Sequence, residues 1–403
     1  MTTPVAQVRL GSLLDMPMGA LADIMVRDVT LDSRNAAPGS IFIAVPGYEA
    51  DGRAYIQAAL DAGVSAVFAE AEGFSANDAR VILVPQLRSR CADIARKFYA
   101  DPSAEMSLLA VTGTNGKTSV TDYIAQILSH LGVAAACLGT LGARFGGGAP
   151  VSDTRNTTPD IFTLNAQLRQ WCDAGVDHVA LEASSHALHQ GRLDGLQIQV
   201  AVFTNLSRDH LDYHGDEAAY CAAKLKLFTW PTLKTSIFNA DDQAARQVVD
   251  VSVSETLGIS LQDPDADVYV AVVHDDRLQR IQIRTPRGVG EFSSHLVGAF
   301  NAFNLAAAVM AVLSLGYEFA AVLSAAAAVK AVPGRMQSVA NKRQLNIVID
   351  YAHTPDAITR ALQALRPQTA GAIWLVFGCG GDRDTGKRQQ MGSAAEAFAD
   401  RVV

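Results

Sequence analysis

Between an apolar run at 108–111 and a helical stretch at 119–131 the chain reads Thr112-Gly113-Thr114-Asn115-Gly116-Lys117-Thr118-Ser119. A strand that ends in a glycine-rich turn and resumes as a helix constrains the fold more than any other stretch here. It implies a parallel α/β layer with the turn at its edge. Glycines let the backbone turn tightly, so that successive N–H groups and the helix N-terminus face phosphate oxygens. Gly113, Thr114, Asn115, Gly116 and Ser119 would wrap the phosphates of ATP, Lys117 would reach the terminal ones, and the Thr118 hydroxyl would sit on Mg²⁺. The general loop pattern wants a further glycine where this chain has Val111. The alternative is a glycine-rich turn with a chance lysine.

Composition bounds what surrounds this loop. At 403 residues the chain is long enough for two or three domains. With 49% hydrophobic and 18% charged residues it has the material for several cores and is not a disordered chain. A net charge of −8 argues against a general nucleic-acid binder, so no nucleic-acid partner is expected. The five cysteines (Cys91, Cys137, Cys172, Cys221, Cys379) are scattered without C-x-x-C spacing, which supports neither a disulfide framework nor a zinc ribbon. No basic stretch followed by an apolar one opens the chain. The most apolar region, 305–329, is broken by Gly316-Tyr317-Glu318 and reads as two packed helices rather than a membrane span. A protein of a reducing compartment, without a membrane partner, is expected.

Short apolar runs alternate with helical stretches almost throughout, the pattern of α/β layers. Strands are expected at 41–45, 65–68 and 81–84, with helices at 55–62 and 88–99. Asp101-Pro102-Ser103 interrupts this pattern and closes a first domain, 1–103. Strands at 108–111, 179–181, 200–203 and 236–238 and the alanine-rich helices make a second, 104–333. Val332-Pro333-Gly334 marks the next boundary, and strands at 345–349 and 373–377 belong to a third domain, 334–403. The 179–181 strand delivers Glu182, where a phosphate-loop fold often carries its Mg²⁺-directed carboxylate. One strand later comes His210. In a parallel sheet both strand ends open onto the edge that carries the loop. Glu182 and His210 can therefore share a cation with the nucleotide, although each alone also suits a structural hydrogen-bonding role, and magnesium prefers oxygen to a histidine nitrogen.

The loop string, together with Asn156-Thr157-Thr158-Pro159-Asp160, Glu182-Ala183-Ser184-Ser185-His186 and Asp209-His210-Leu211-Asp212-Tyr213-His214-Gly215, strongly resembles the Mur ligases. The likeness runs from Leu31-Asp32-Ser33-Arg34 to Gly378-Cys379-Gly380-Gly381-Asp382-Arg383-Asp384. It implies three domains: a UDP-substrate domain, a central P-loop ATPase-like domain and a Rossmann-like C-terminal domain. It also implies a reaction, in the branch that adds the third amino acid. ATP phosphorylates the D-Glu carboxylate of UDP-N-acetylmuramoyl-L-Ala-D-Glu, and the amine of meso-diaminopimelate attacks the acyl phosphate. Because a carboxylate is a poor electrophile, the protein must hold three anionic parts together and neutralise developing charge.

The resemblance also assigns residues. Lys224 matches a lysine that the family carbamylates with CO₂, giving an anionic oxygen ligand for Mg²⁺; spacing alone would read it as a solvated helix lysine. Glu182 and His210 match the family's magnesium positions. Asn156, Thr157, Thr158, Ser184, Gln190 and Arg192 match contacts to the UDP-muramyl dipeptide, and Leu31 and Ser33 match uridine contacts. Thr158-Pro159-Asp160 also reads as N-cap, first-turn proline and acidic first turn. Tyr48-Glu49 stand where some relatives carry His-Gln. Asn301 and Asn304 look like the adenine-side asparagines, three apart at a helix start so that both face one ligand. Arg335 and Asp350 resemble residues that close on ATP, and Arg383 one that meets the incoming amino acid. A monomer in the bacterial cytoplasm, acting on small molecules, is implied.

The family's third domain runs beyond residue 403. Its diaminopimelate members carry an Asp-Asn-Pro-Arg motif shortly after this point, so the third domain is expected to be incomplete. L-lysine as the added amino acid, a folylpolyglutamate synthase-like ligase, and a nucleotide-binding module without activity are the competing readings.

Overall fold

The computed structural model describes residues 7–48, 50–146, 148, 150–152, 156–275, 278–343, 345–379 and 386–403. The chain divides into two compact units. One comprises Met1–Met106, Pro159–Gly175 and Gln190–Leu196; the other comprises Ser107–Thr158, Val176–His189 and Gln197–Val403.

The first unit is built on a four-stranded parallel sheet, Asp28–Thr30, Ser40–Ala44, Ala66–Glu70 and Val81–Val84, in chain order. All five residues of Ser40–Ala44 are buried, because a central parallel strand is covered on both faces. Alternation sorts them. Phe42 and Ala44 join Val67 against Ile56, Ala59 and Leu60 of the helix Ile56–Asp61. Ile41 and Ile43 join Phe68 against Leu87, Ile94 and Phe98 of the helix Leu87–Phe98. That second face also gathers Ile161 and Phe162 from the helix Ile161–Asp173. This helix is N-capped by Asp160, whose carboxylate accepts from the backbone N–H groups of Phe162 and Thr163. The expected cap at Thr158 is thus displaced by two residues: the Asp160 carboxylate reaches the first-turn donors, and the Thr158 hydroxyl is engaged elsewhere.

In the second unit the strand Ser107–Thr112 lies between His178–Glu182 and Ile198–Phe203, all parallel. Ala135–Gly139 flanks one side; Thr235–Asn239 and Glu255–Ser260 flank the other. Register decides where the chemistry falls. Glu182 pairs with Val111 and Phe203 with Thr112, so Gly113, Ala183 and Thr204 leave the sheet at one edge. The helix Ala299–Ser314 is buried nearly all round, which explains why it reads as uniformly apolar. The helix Phe319–Ala327 follows it, giving the two helices expected from the apolar stretch.

Simple βα alternation fails at 255–294. There Val268–Asp275 joins Glu255–Ser260 in parallel with no helix between them, and Leu278–Thr285 and Gly288–Ser294 then extend the sheet antiparallel. Leu278–Thr285 alternates exposed and buried at every position, the period of a strand with one wet face. The last seventy residues pair Gln337–Val339 with Ile347–Ile349 and Trp374–Leu375 with Arg401–Val402. The helices Pro355–Leu365 and Gly386–Phe398 accompany them, and Ile358, Leu362, Ile373 and Met391 form their core. The architecture is α/β, with a phosphate-loop-like central sheet. No described helix is long and apolar enough to cross a membrane.

Candidate active site

The loop after Ser107–Thr112 is held from the neighbouring strand end. Thr204 Oγ1 and Asn205 Nδ2 donate to Asn115 O at 2.6 and 3.0 Å, and Asn115 N donates to Asn205 Oδ1 at 3.0 Å. Thr114 N donates to Asn205 O at 2.8 Å, and the Thr114 hydroxyl lies 3.2 Å from Tyr220 Oη. Gly113 has φ +139°, and a Cβ there would stand 2.0 Å from Thr204 Oγ1. Only glycine fits that position.

Two lysines converge inside this loop. Lys117, the first residue of the helix Lys117–His130, donates to Gly113 O at 2.8 Å and Thr114 O at 2.9 Å. Lys224, from the helix Glu217–Leu225, donates to the same Gly113 O at 2.8 Å and sits 4.3 Å from the centre of the Tyr220 ring. Lys224 is 1% exposed; it is not the solvated helix lysine that spacing alone suggests. Burial first, and then Lys117, push its pKa well below the ordinary lysine value, against the pull of Asp209. Burial likewise lowers Lys117, partly offset by Glu182 and Asp209.

Glu182 is 1% exposed. Its Oε1 accepts from Thr140 N at 2.8 Å and its Oε2 from Thr140 Oγ1 at 3.2 Å. Gly139 leaves room for it, since a Cβ there would stand 2.1 Å from Oε1. His210, at φ +54°, places Nε2 3.4 Å from Asp209 Oδ2. Its ring meets those of His186 at 4.8 Å and Tyr220 at 6.2 Å. Among the described residues no three His, Cys, Asp or Glu side chains gather closely enough to hold a metal by themselves. A magnesium ion is usually bound through one or two carboxylates together with substrate phosphates, and the buried Glu182 carboxylate with the Thr118 hydroxyl is a donor set of that kind.

Beside the loop opens a cavity of about 600 Å³, lined among others by Asn115, Gly116, Thr118, Ser119, Asn301, Asn304, Arg335 and Asp350. Arg335 Nη2 donates to Thr118 Oγ1 at 3.1 Å, and its guanidinium lies 4.6 Å from the centre of the Tyr351 ring. Asp350 accepts from Met336 N at 2.8 Å and Ala352 N at 2.9 Å; burial raises its pKa. Asn301 is engaged within the protein. Its Nδ2 donates to Val297 O at 2.9 Å, and its Oδ1 accepts from Tyr123 Oη at 3.2 Å and Asn304 Nδ2 at 3.4 Å.

Three family profiles match the chain: Mur ligase middle domain at 111–312, Mur ligase glutamate ligase domain at 334–403, and Mur ligase family catalytic domain at 26–99. The chain belongs to the Mur ligase family. The UDP-N-acetylmuramoyl-L-alanyl-D-glutamate–2,6-diaminopimelate ligase of Pseudomonas aeruginosa is 45% identical over 386 residues, covering 94% of this chain and 79% of that protein. A solved structure of an enzyme with the same name superposes with a TM-score of 0.79 at 35% identity, covering 98% of this chain and 82% of the other. A folylpolyglutamate synthase of Mycobacterium tuberculosis solved with ADP and AMPPCP superposes at 0.63 with 21% identity, over 76% of each chain; it shares the fold.

The residues that the Mur ligase resemblance assigns to the UDP-substrate fall in both units. Leu31, Ser33, Gln190 and Arg192 belong to the first, and Asn156, Thr157, Thr158 and Ser184 to the second. In the first, Ser33 opens a short turn capped by Asp32, and Arg192 donates to Gln190 Oε1 from Nε at 3.0 Å and Nη2 at 2.6 Å. Tyr48 is exposed beneath the Arg88 guanidinium, 5.2 Å from its ring centre. In the second, the Thr158 hydroxyl donates to Glu182 O at 2.6 Å and accepts from Ser184 N at 3.1 Å, while Thr157 Oγ1 lies 3.2 Å from Thr140 Oγ1. Thr158 thereby joins the strand end that presents Glu182. Arg383 and Glu49 lie outside the described residues. Sequence reasoning missed Thr140, Asn205 and Tyr220, which hold Glu182, the loop and Lys224. Each is a common residue in no motif of its own, although Asn205 follows the strand end that drew attention to His210.

Proposed function

We infer that this chain is an ATP-dependent ligase that joins 2,6-diaminopimelate to the D-glutamate of UDP-N-acetylmuramoyl-L-alanyl-D-glutamate, a step of peptidoglycan precursor synthesis. The geometric observation that carries the reading is the convergence of Lys117 and Lys224 on the Gly113 carbonyl, in a loop that borders the 600 Å³ cavity. Similarity to enzymes of that name over nearly the whole chain supports the substrates.

A carboxylate oxygen of the D-glutamate attacks Pγ of ATP; the new O–P bond replaces the bond to the β-phosphate oxygen, and ADP leaves. The diaminopimelate amine then attacks the acyl carbon. A C–N bond forms, the C–O bond to phosphate breaks, and the nitrogen gives up a proton. Lys117 turns from the loop carbonyls to the terminal phosphates, and Arg335 leaves Thr118 for the transferring group, so that charge developing there meets two cations. Glu182, Thr118 and His210 would hold Mg²⁺, Glu182 and Thr118 supplying the oxygen donors it prefers. The ion's contribution is to neutralise phosphate charge. Lys224 completes that set as a carbamate. Burial favours the neutral amine of Lys224, which is the nucleophilic form: its nitrogen bonds the carbon of CO₂, a proton is released, and an anionic oxygen results.

We assign Leu31, Ser33, Asn156, Thr157, Ser184, Gln190, Arg192 and Arg383 to substrate contacts. Residues 1–103, 104–333 and 334–403 serve UDP-substrate, ATP and amino acid in turn. The protein acts as a monomer in the cytoplasm, where ATP and UDP-linked precursors are found. The test is phosphate release from ATP and Mg²⁺ with UDP-N-acetylmuramoyl-L-Ala-D-Glu, adding diaminopimelate, lysine or no amino acid, with a folate control. Stimulation by diaminopimelate is expected. Stimulation by lysine alone, by folate and glutamate alone, or by nothing would overturn the assignment.

A further inference from the structure

Three residues of the phosphate-loop helix, Thr118, Asp122 and Gln126, are spaced four apart and so share one stripe of its surface. Each end of that stripe is bonded to one short stretch of chain. At the far end Gln126 makes a two-point amide pairing with a backbone unit. Its Nε2 donates to Lys330 O at 3.1 Å, and its Oε1 accepts from Lys330 N at 2.9 Å. At the near end Thr118 Oγ1 accepts from Arg335 Nη2 at 3.1 Å. Eight residues of helix span roughly 12 Å. Five residue steps of extended chain reach about 17 Å, enough to cover that span, so the 330–335 segment is a strap tied to the helix at both ends. Val332 is buried between the two attachments.

Around Arg335 the strap ends in a fixed turn. Gly334 and Met336 have φ of +71° and +45°. Gly334 N donates to Gln337 Oε1 at 2.8 Å, and Met336 N to Asp350 Oδ2 at 2.8 Å. The other attachment is equally rigid. Gln126 is 9% exposed and also donates to Asp122 Oδ2 at 2.6 Å; Asp122 in turn is paired with Arg144 Nη2 at 2.6 Å.

We propose that Gln126 is a positioning residue for nucleotide: it fixes the start of the strap so that Arg335 is delivered to the phosphate end of the cavity. The proposal rests on the ATP-ligase reading given above. Gln126 touches no reacting atom and acts through Arg335. Without its amide the Lys330 N–H and C=O lose their partners, the strap is left tied at one end only, and Arg335 reaches the phosphates from a wider set of positions.

The experiment is a double-mutant cycle on the full chain, reading KM for ATP, kcat and Tm in wild type, Gln126→Met, Arg335→Ala and the double variant. Gln126→Met is expected to raise KM for ATP about fivefold, the loss of one to two neutral hydrogen bonds, and to lower Tm. In the Arg335→Ala background the same change is expected to leave KM for ATP within about twofold while still lowering Tm. Equal fold-changes in both backgrounds, or a loss of Tm with KM unchanged in each, would make Gln126 a purely structural residue and overturn the proposal. Should Gln126→Met fail to fold, Gln126→Asn keeps an amide that falls one bond length short (~1.5 Å) and is held to the same pair of outcomes. A wild-type protein that neither binds nor turns over ATP would instead strike at the ligase reading, so the two failures are distinguishable.

Discussion

Two groups of buried charge flank the helix Lys117–His130, and they are built on opposite plans. At its start, Lys117 and Lys224 donate to one carbonyl oxygen, each held below its ordinary pKa by burial. One turn further along, Asp122 and Arg144 form a close pair at 2.6 Å, 1% and 4% exposed, and Gln126 steadies the carboxylate. Like charges crowded onto a neutral acceptor are unfavourable until an anion arrives. Opposite charges in contact are already satisfied, apart from Arg144 Nε, which has no partner among the described residues. The first arrangement reads as a binding site awaiting phosphate, the second as structure. Lys224 is as buried as Asp122 and Arg144, and Lys117 is half-buried, so it is the completeness of pairing more than depth that separates function from framework.

The comparison is sharpened most by Lys117→Ala. It removes a half-buried cation from the like-charged group, so ligase activity should fall on the order of 10³-fold while Tm holds or rises; ADP release and a thermal melt read both. A Tm loss as large as that of a core variant would erase the distinction. Arg144→Met tests the other side. Leaving Asp122 buried and unpaired should lower stability by about 3 kcal/mol, read by urea unfolding. Adding Asp122→Leu should recover most of that loss, because an apolar pair of similar size can replace a buried ion pair. No such rescue is expected when Lys117 and Lys224 are both replaced by Met, since their value lies in a ligand rather than in each other.

How much of this was legible in the sequence follows from the same contrast. The loop, Glu182 at its strand end and the βαβ order are local patterns, and the parallel register placed them at one edge. The framework pair was not legible. Asp122, Gln126 and Arg144 carry no motif, and Arg144 comes from a short hairpin strand that alternation does not announce. The antiparallel strands at 268–294 were missed because βα alternation was carried through a stretch whose own period is two. Residues 159–175 and 190–196 pack with the first unit, a long-range grouping that composition and spacing do not encode. The cap at Asp160 escaped for a smaller reason. Threonine and aspartate are both good caps, and only the tertiary bond from Thr158 to Glu182 O decides between them.

Lys224→Ala separates the two lysines within the site. Activity should fall by about 10²-fold, and the remainder should no longer respond to bicarbonate, whereas wild-type activity should drop when CO₂ is stripped from the assay. A wild type indifferent to bicarbonate would leave Lys224 an unmodified amine and remove the carbamate from the mechanism. Burial that lowers the Lys224 pKa also destabilises the fold wherever the unfolded chain binds that proton more readily, so carbamylation should raise Tm slightly.

The smallest expected effect concerns the rim of the unsatisfied group. His214 is half-buried, with Nε2 3.0 Å from Ser185 Oγ. Burial first, then His186, His189 and Lys224, push its pKa down to about 4, against the pull of Asp212. A histidine lowered on folding binds its proton more readily in the unfolded chain between pH 6.5 and 4. Stability is therefore full above that window and is lost as pH falls through it. His214→Asn should flatten the decline of Tm across this range, leaving the values near pH 7.5 within a few degrees of wild type. An unchanged decline would assign the acid sensitivity to other groups. Bicarbonate adds a second reading. A carbamate on Lys224 replaces a repelling cation by an anion, so the His214 pKa should rise, and the window should narrow toward pH 6.5. In Lys224→Ala the same titration should ignore bicarbonate altogether, which ties this weak effect at the rim to the charge state at the centre.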